Sequence, residues 1–150
     1  MTPMKKNVST FILVVALNAS GYSQDISGLW KTIDDKTGKP RSIVKIEARD
    51  GNYVGTIKKL FREPNEVQDP ICEVCPDDRK NQKVIGMEII KDMKFNKREN
   101  IYEDGEILDP ESGSVYDCKI WLDESSQLQM RGYIMFLYRT QTWLPVDEDN

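Results

Sequence analysis

Cys72-Glu73-Val74-Cys75 places two thiols three positions apart, a spacing that suits a local disulfide, a metal or a redox pair. The neighbouring residues sort these chemistries. A thioredoxin-type pair opens a helix after a strand in a βαβ unit. Here the pair runs into Pro76-Asp77-Asp78, in a chain without βαβ patterning. A structural zinc site needs about four ligands. The chain has no His, and its third cysteine, Cys118, stands alone on an apolar segment. We read Cys72 and Cys75 as a disulfide, with two reduced thiols as the alternative, and Cys118 as a small buried apolar residue. A four-residue ring adds only about 2 kcal/mol by loop-closure entropy.

The lack of histidine also removes Ser-His-Asp, Cys-His and His-metal chemistry. Carboxylates remain. Glu103, Asp104, Glu106 and Asp109 lie close enough in sequence to form a glycosidase-type acid–base pair. Asp104 and Asp109 sit in turn contexts, however, where Asp is favoured for bonding its own backbone. The basic run Lys91, Lys94, Lys97 and Arg98 reads as a solvated hairpin, and no Gly-rich phosphate loop is present. No catalytic residue is assigned, no enzyme activity is expected, and neither a cofactor nor a metal is expected.

Arg131-Gly132-Tyr133 and Arg139-Thr140-Gln141-Thr142-Trp143 carry a more directed signal. Side chains at i and i+2 share a strand face, so Arg139, Gln141 and Trp143 form one row and Arg131 and Tyr133 another. If the strands pair around a turn near Leu137, the two rows can lie on a common face. Arg offers a planar fork for an anion, Gln a donor and an acceptor, and the rings flat apolar surface. That set suits an amphipathic ligand with an anionic head. The competing reading is that Arg139 only closes a barrel over Trp30 and that the others are surface residues.

Strands must position these residues, and the chain is patterned for them. Val44, Ile46 and Ala48 alternate with Lys45, Glu47 and Arg49. Tyr116, Cys118, Ile120 and Leu122 do so with Asp117 and Lys119, and Leu128, Met130, Gly132, Ile134 and Phe136 with Gln127, Gln129 and Arg131. A period of two with one apolar face is that of a half-buried antiparallel strand. Turn signals such as Asp50-Gly51-Asn52 and Asp109-Pro110-Glu111-Ser112-Gly113 separate the runs. Strands are expected near 27–33, 41–49, 52–60, 84–91, 100–108, 115–122, 127–136 and 138–145. The fold class is all-β, an antiparallel up-and-down barrel of about eight strands. The long irregular stretch 61–83 reads either as a lid or rim or as a plain connection.

The first residues read differently. Lys5 and Lys6, the apolar run Phe11–Leu17 and the small residues Ala19-Ser20-Gly21 and Ser23 follow the order of a secretory signal peptide. The run is far short of the roughly 20 residues of a membrane span. Residues 1–23 are therefore assigned as a signal peptide and 24–150 as one barrel domain, periplasmic or secreted. Without the leader, Lys plus Arg falls from 21 to 19 against 25 Asp plus Glu, and the net charge from −4 to −6. Such an acidic protein suits neither nucleic acid nor an anionic membrane surface.

Gly28-Leu29-Trp30 with Arg139 is similar to the lipocalin arrangement, in which a Gly-x-Trp on the first strand packs under an Arg of the last. More extensively, the chain resembles the domain-of-unknown-function family 2147, small exported bacterial proteins. The resemblance rests on Gly28-Leu29-Trp30, Asp34-Asp35…Gly38, Gly55-x-Ile57, Cys72-x-x-Cys75 and Ile85-Gly86. It continues through Gly105-x-Ile107-x-Asp109-Pro110-x-x-Gly113-x-x-Tyr116, Arg131-Gly132-Tyr133 and Arg139-Thr140-Gln141-Thr142-Trp143. It implies a lipocalin-like barrel in the envelope or outside the cell, with structural roles for Gly28 and Trp30, and it transfers no reaction. The expected function is binding of a small amphipathic or apolar ligand by Arg131, Tyr133, Arg139, Gln141 and Trp143. The alternative is a structural or interaction protein of the envelope with a filled barrel. Interior residue size decides: Gly55 and Gly132 would leave room, whereas inward Trp, Tyr and Met would fill it.

Overall fold

Among the described residues ten strands form, in the order β1 (Gly28–Ile33), β2 (Pro40–Arg49), β3 (Asn52–Leu60), β4 (Ile71–Cys72), β5 (Gln82–Lys83), β6 (Glu88–Asn96), β7 (Ile101–Asp109), β8 (Ser114–Leu122), β9 (Leu128–Ile134) and β10 (Leu137–Val146). The computed structural model describes residues 25–147 and, before them, Pro3 alone. Apart from Pro3, the expected signal peptide 1–23 and its cleavage site lie outside the described residues. Eight strands close into an antiparallel barrel in the order β1-β10-β9-β8-β7-β6-β3-β2, and β4 pairs with β5 in a separate ribbon. The expected all-β class, an antiparallel up-and-down barrel of eight strands, is therefore the observed one.

The alternating segments form strands because each buries one face. Along β2, Ser42, Val44 and Ile46 are buried while Ile43, Lys45 and Glu47 are only half-buried. Asp50 (φ 51°) and Gly51 (φ 82°) form the two-residue turn to β3, both in the left-handed conformation that such hairpins require. Between β1 and β2, Asp34 Oδ1 accepts from Lys36 N (2.9 Å), Thr37 N (2.8 Å) and Thr37 Oγ1 (3.0 Å). These bonds, the one from the Thr37 amide foremost, hold the Asp34 carboxyl below the usual carboxylate pKa.

The short β4 and β5 form within the stretch expected to be irregular, β9 ends two residues early, and one barrel strand differs by more. The segment placed at 84–91 is strand only from Glu88, and it runs on to Asn96. Two irregularities hide it. Gly55 pairs with Ile90 but Thr56 with Glu88, leaving Ile89 as an extra residue, and Asp92 adopts φ 59°. Each breaks the period of two from which a strand is read. Gly105 of β7 lies under this bend, where a Cβ would stand 2.4 Å from Lys91 O.

The interior divides along the barrel axis. At the end carrying the β2–β3, β6–β7 and β8–β9 turns, Trp30, Ile46, Met93, Tyr102, Ile120 and Leu128 are buried and fill the space, with Ile26 among them. Trp30 Nε1 donates to Ile26 O at 2.8 Å, holding the segment before β1 across that end. Tyr102 stacks edge-on to Tyr53 at 4.7 Å. Burial raises its phenol pKa to about 12. The other end, with the β1–β2, β7–β8 and β9–β10 turns and the 61–83 connection, is open.

The connection 61–83 is fastened to the wall rather than hanging free. The Cys72 and Cys75 sulfurs stand at bonding distance, 2.00 Å, and both residues are buried. Val74 O would meet a Cβ on Gly113 (φ 71°) at 2.1 Å, so only glycine allows this approach. Cys72 Sγ lies 3.3 Å from Pro110 O. Thus the two motifs Cys-x-x-Cys and Asp-Pro-x-x-Gly dock on one another. A turn later, the buried Arg79 guanidinium donates to Asp77 Oδ2 (2.7 Å) and to Glu106 Oε1 (3.1 Å) on β7.

Candidate functional site

A cavity of about 1010 Å³ opens at the end carrying the β1–β2, β7–β8 and β9–β10 turns. Its size is at the top of the range for small-molecule sites. The deep wall is apolar, with Ile57 of β3, Ile107 of β7, Tyr116 of β8, Met130 of β9 and Trp143 of β10. Thr32 and Ser42 add hydroxyls, bonded to one another at 2.7 Å across β1 and β2. Trp143 Nε1 is buried and has no hydrogen-bond partner among the described residues.

The two glycines expected to leave room behave differently. At Gly132 a Cβ would touch only Tyr116 Cβ, at 3.7 Å, and the space beyond is cavity. At Gly55 it would stand 2.8 Å from Ile90 Cδ1, so that side is closed. The open and filled readings therefore each hold for half of the barrel.

Of the five expected site residues, the structure brings Arg139, Gln141 and Trp143 to the cavity wall and leaves Arg131 and Tyr133 outside it. The expected common face does not form. Ile134 pairs with Leu137, making a two-residue hairpin, so Arg139 stands opposite Gly132, and Arg131 opposite Thr140. Cross-strand partners share a face. In this register odd-numbered residues of β9 and β10 therefore face opposite ways. Arg131 instead lies on the outer wall between the Trp121 ring (5.1 Å) and the Tyr138 ring (4.4 Å).

Arg139 does not cover Trp30. Closure pairs Trp30 with Pro145, six residues along β10 from Arg139, or about 20 Å of strand. Trp30 is buried as expected, but at the filled end. Arg139 instead reaches Asp35 in the β1–β2 turn, its Nε donating to Oδ2 at 2.7 Å, and Gln141 Nε2 stands 3.5 Å from the same oxygen. Asp35 thus neutralises the cation expected to take an anionic head. Across the mouth, Arg41 of β2 meets Glu111 of the β7–β8 turn at 2.5 Å. Asp35 and this second ion pair were not evident in the sequence. Thr32 was missed as well, although its spacing of two from Trp30 on β1 puts both on one face.

The clustered carboxylates do not converge. Glu103 accepts from Asn96 Nδ2 at 2.7 Å and pairs with Lys119 at 3.3 Å, and these contacts lower its pKa. A glycosidase acid needs the opposite shift. Glu106 holds Arg79, and Asp109 caps its own turn through Glu111 N and Ser112 Oγ. Cys118 is a free, buried thiol 3.4 Å from Met93 Sδ, its pKa pushed up to about 12 by burial. Among the described residues no group of His, Cys, Asp and Glu could hold a metal, and no helix is long and apolar enough to cross a membrane.

Comparison with known proteins bears on the fold. The family model described as "Uncharacterized protein conserved in bacteria (DUF2147)" matches residues 28–144. No curated protein matches the chain. A solved structure similar to it is that of protein HP1028 from Helicobacter pylori, described as belonging to the lipocalin family. The two share 16% identity over 83% of this chain and 85% of that one, with a TM-score of 0.67.

Proposed function

The chain belongs to the DUF2147 family of uncharacterized proteins conserved in bacteria, and from that premise and the geometry of its barrel we propose that it binds a small amphipathic or apolar molecule without catalysis. One observation carries the reading: one half of the barrel is packed solid while the other keeps a cavity of about 1010 Å³. A protein that only needed a stable barrel would fill both halves, since unfilled volume costs stability. The ligand's apolar body lies against Ile57, Ile107, Met130 and Trp143, and its polar part near Gln141 and Arg139 at the rim. The lipocalin description of HP1028 supports this by fold alone. The basic, apolar and small order of residues 1–23 supports an envelope or secreted location for the working protein. N-terminal sequencing from the native host should find a start near Gln24, and intact Met1 would remove that placement.

The binding reading is tested with Gly132→Leu. The new side chain projects into the cavity with only Tyr116 Cβ near its first carbon. Wild-type protein is expected to enhance the fluorescence of a naphthalene-labelled fatty acid, and Gly132→Leu to lose that enhancement at an unchanged melting temperature. Equal enhancement by both proteins would refute the cavity as the binding site.

A further inference from the structure

The β9–β10 hairpin ends on Ile134-Met135-Phe136-Leu137-Tyr138, exposed by 54, 90, 86, 62 and 62%. A two-residue hairpin turn normally takes Asn or Gly, which accept positive φ at little cost. Here Met135 holds φ 54°. Turn chemistry is thus given up for apolar side chains that touch little. From Gly132 to Tyr138 the hairpin carries no charge.

We propose that this tip is a membrane-contact element, which enters the interfacial layer of a zwitterionic bilayer and sets the cavity mouth against the lipid. Three observations select a bilayer over a protein groove. Successive residues of a ribbon point to opposite faces, and all five are exposed, so the occupant must surround the tip. Ile134 and Leu137 also line the cavity, making the apolar surface continuous from tip to interior. At the base lie Tyr133 and Tyr138, paired across the two strands, with the Arg131 guanidinium 4.4 Å from the Tyr138 ring. Amphipathic rings and long cations of this kind sit at the level of lipid headgroups. The turn projects roughly 7 Å beyond the Tyr133–Tyr138 pair, which matches the roughly 5–10 Å that interfacial elements bury. A net charge of −4 favours a zwitterionic over an anionic surface. Delivery of ligand through this contact rests on the binding reading above; the contact itself does not.

The test uses the full chain in every arm, so that any contribution of residues 1–24 is common to all. Phe136→Trp places an indole at the tip. Vesicles of dibrominated phosphatidylcholine are expected to quench its emission beyond that of the wild-type tryptophans. Adding Met135→Asp and Leu137→Asp in this background should abolish the extra quenching, while adding Gly132→Leu should leave it intact. Loss of probe binding in Gly132→Leu with quenching retained separates the two proposals. Absence of extra quenching overturns the contact. So does a concentration-dependent dimer, formed without lipid and lost with the two Asp substitutions, because a second copy then covers the tip.

Discussion

Gly105→Ala should be far more damaging than its one added carbon suggests. The new Cβ would stand 2.4 Å from Lys91 O, 2.4 Å from Met93 Sδ and 2.7 Å from Met93 N. Relief by about 1 Å is needed, and two of the three atoms are backbone. They are held by the pairings Lys91↔Glu106 and Lys94↔Glu103 on either side of the Asp92 bend. The Met93 side chain is fully buried and cannot give way toward solvent. Overpacking costs about 1–3 kcal/mol. Loosening two ladder bonds adds about 1 kcal/mol each. The lower chain entropy of alanine returns roughly 0.5–1 kcal/mol. The net expectation is a loss of about 3 kcal/mol, or roughly 10 °C in melting temperature for a domain of this size. Gly132→Ala is the reference, because its Cβ meets one atom at ordinary contact distance. It should stay within about 1 kcal/mol of wild type. Urea unfolding followed by the emission of the buried Trp30 and Trp143 measures both. Equal midpoints for the two variants would refute the reasoning.

Acid should loosen the fastening of the 61–83 connection. Hydrogen bonds from Arg79 hold the Asp77 carboxyl far below the usual range. Its folded pKa is therefore lower than its unfolded one, so it stabilises above the unfolded value and the contribution fades as pH falls from about 5 to 2. Asp77→Asn should flatten, in part, the decline of the urea midpoint over that window, and an unchanged slope would refute the assignment. Alkylation of the native protein at pH 8 is expected to spare Cys118, and peptide mapping should find Cys72 linked to Cys75. A native Cys118 that reacts as fast as a free thiol would contradict its burial.

Much of the barrel was legible because burial on one face writes a period of two into β2, β8 and β9. What was not legible depends on single-residue offsets. The extra residue Ile89 and the bend at Asp92 shift the pattern of β6, and neither carries a Gly or Pro to mark it. The split of Arg131 and Tyr133 from Arg139, Gln141 and Trp143 turns on a two-residue hairpin whose turn is Met135-Phe136, without the Asn-Gly that would announce it. Had that turn length been known, parity alone would have put the rows on opposite faces. Closure was misjudged for a related reason. Tilted strands meet with a stagger, so β1 joins the far half of β10 and Trp30 never approaches Arg139. The glycines, by contrast, were marked in sequence by their motifs, and the close approaches at Gly105 and Gly113 give those motifs a steric cause.

The joint between β1 and β10 has a kinetic consequence. Every other neighbour in the ring is close in sequence, from the β9–β10 hairpin to the β3–β6 pair, but this joint links the two ends of the chain. It is also narrow, with Leu29, Trp30 and Lys31 opposite Val146, Pro145 and Leu144, and Pro145 brings no amide to it. Its loop-closure entropy is the largest in the molecule and its ladder among the shortest. The curled sheet from β1 through β2 to β10 can assemble by local zippering, whereas the seam must wait until the sheet is nearly whole. Opening from the native state should begin there, so the amides of β1 should exchange with solvent sooner than those of β7 and β8.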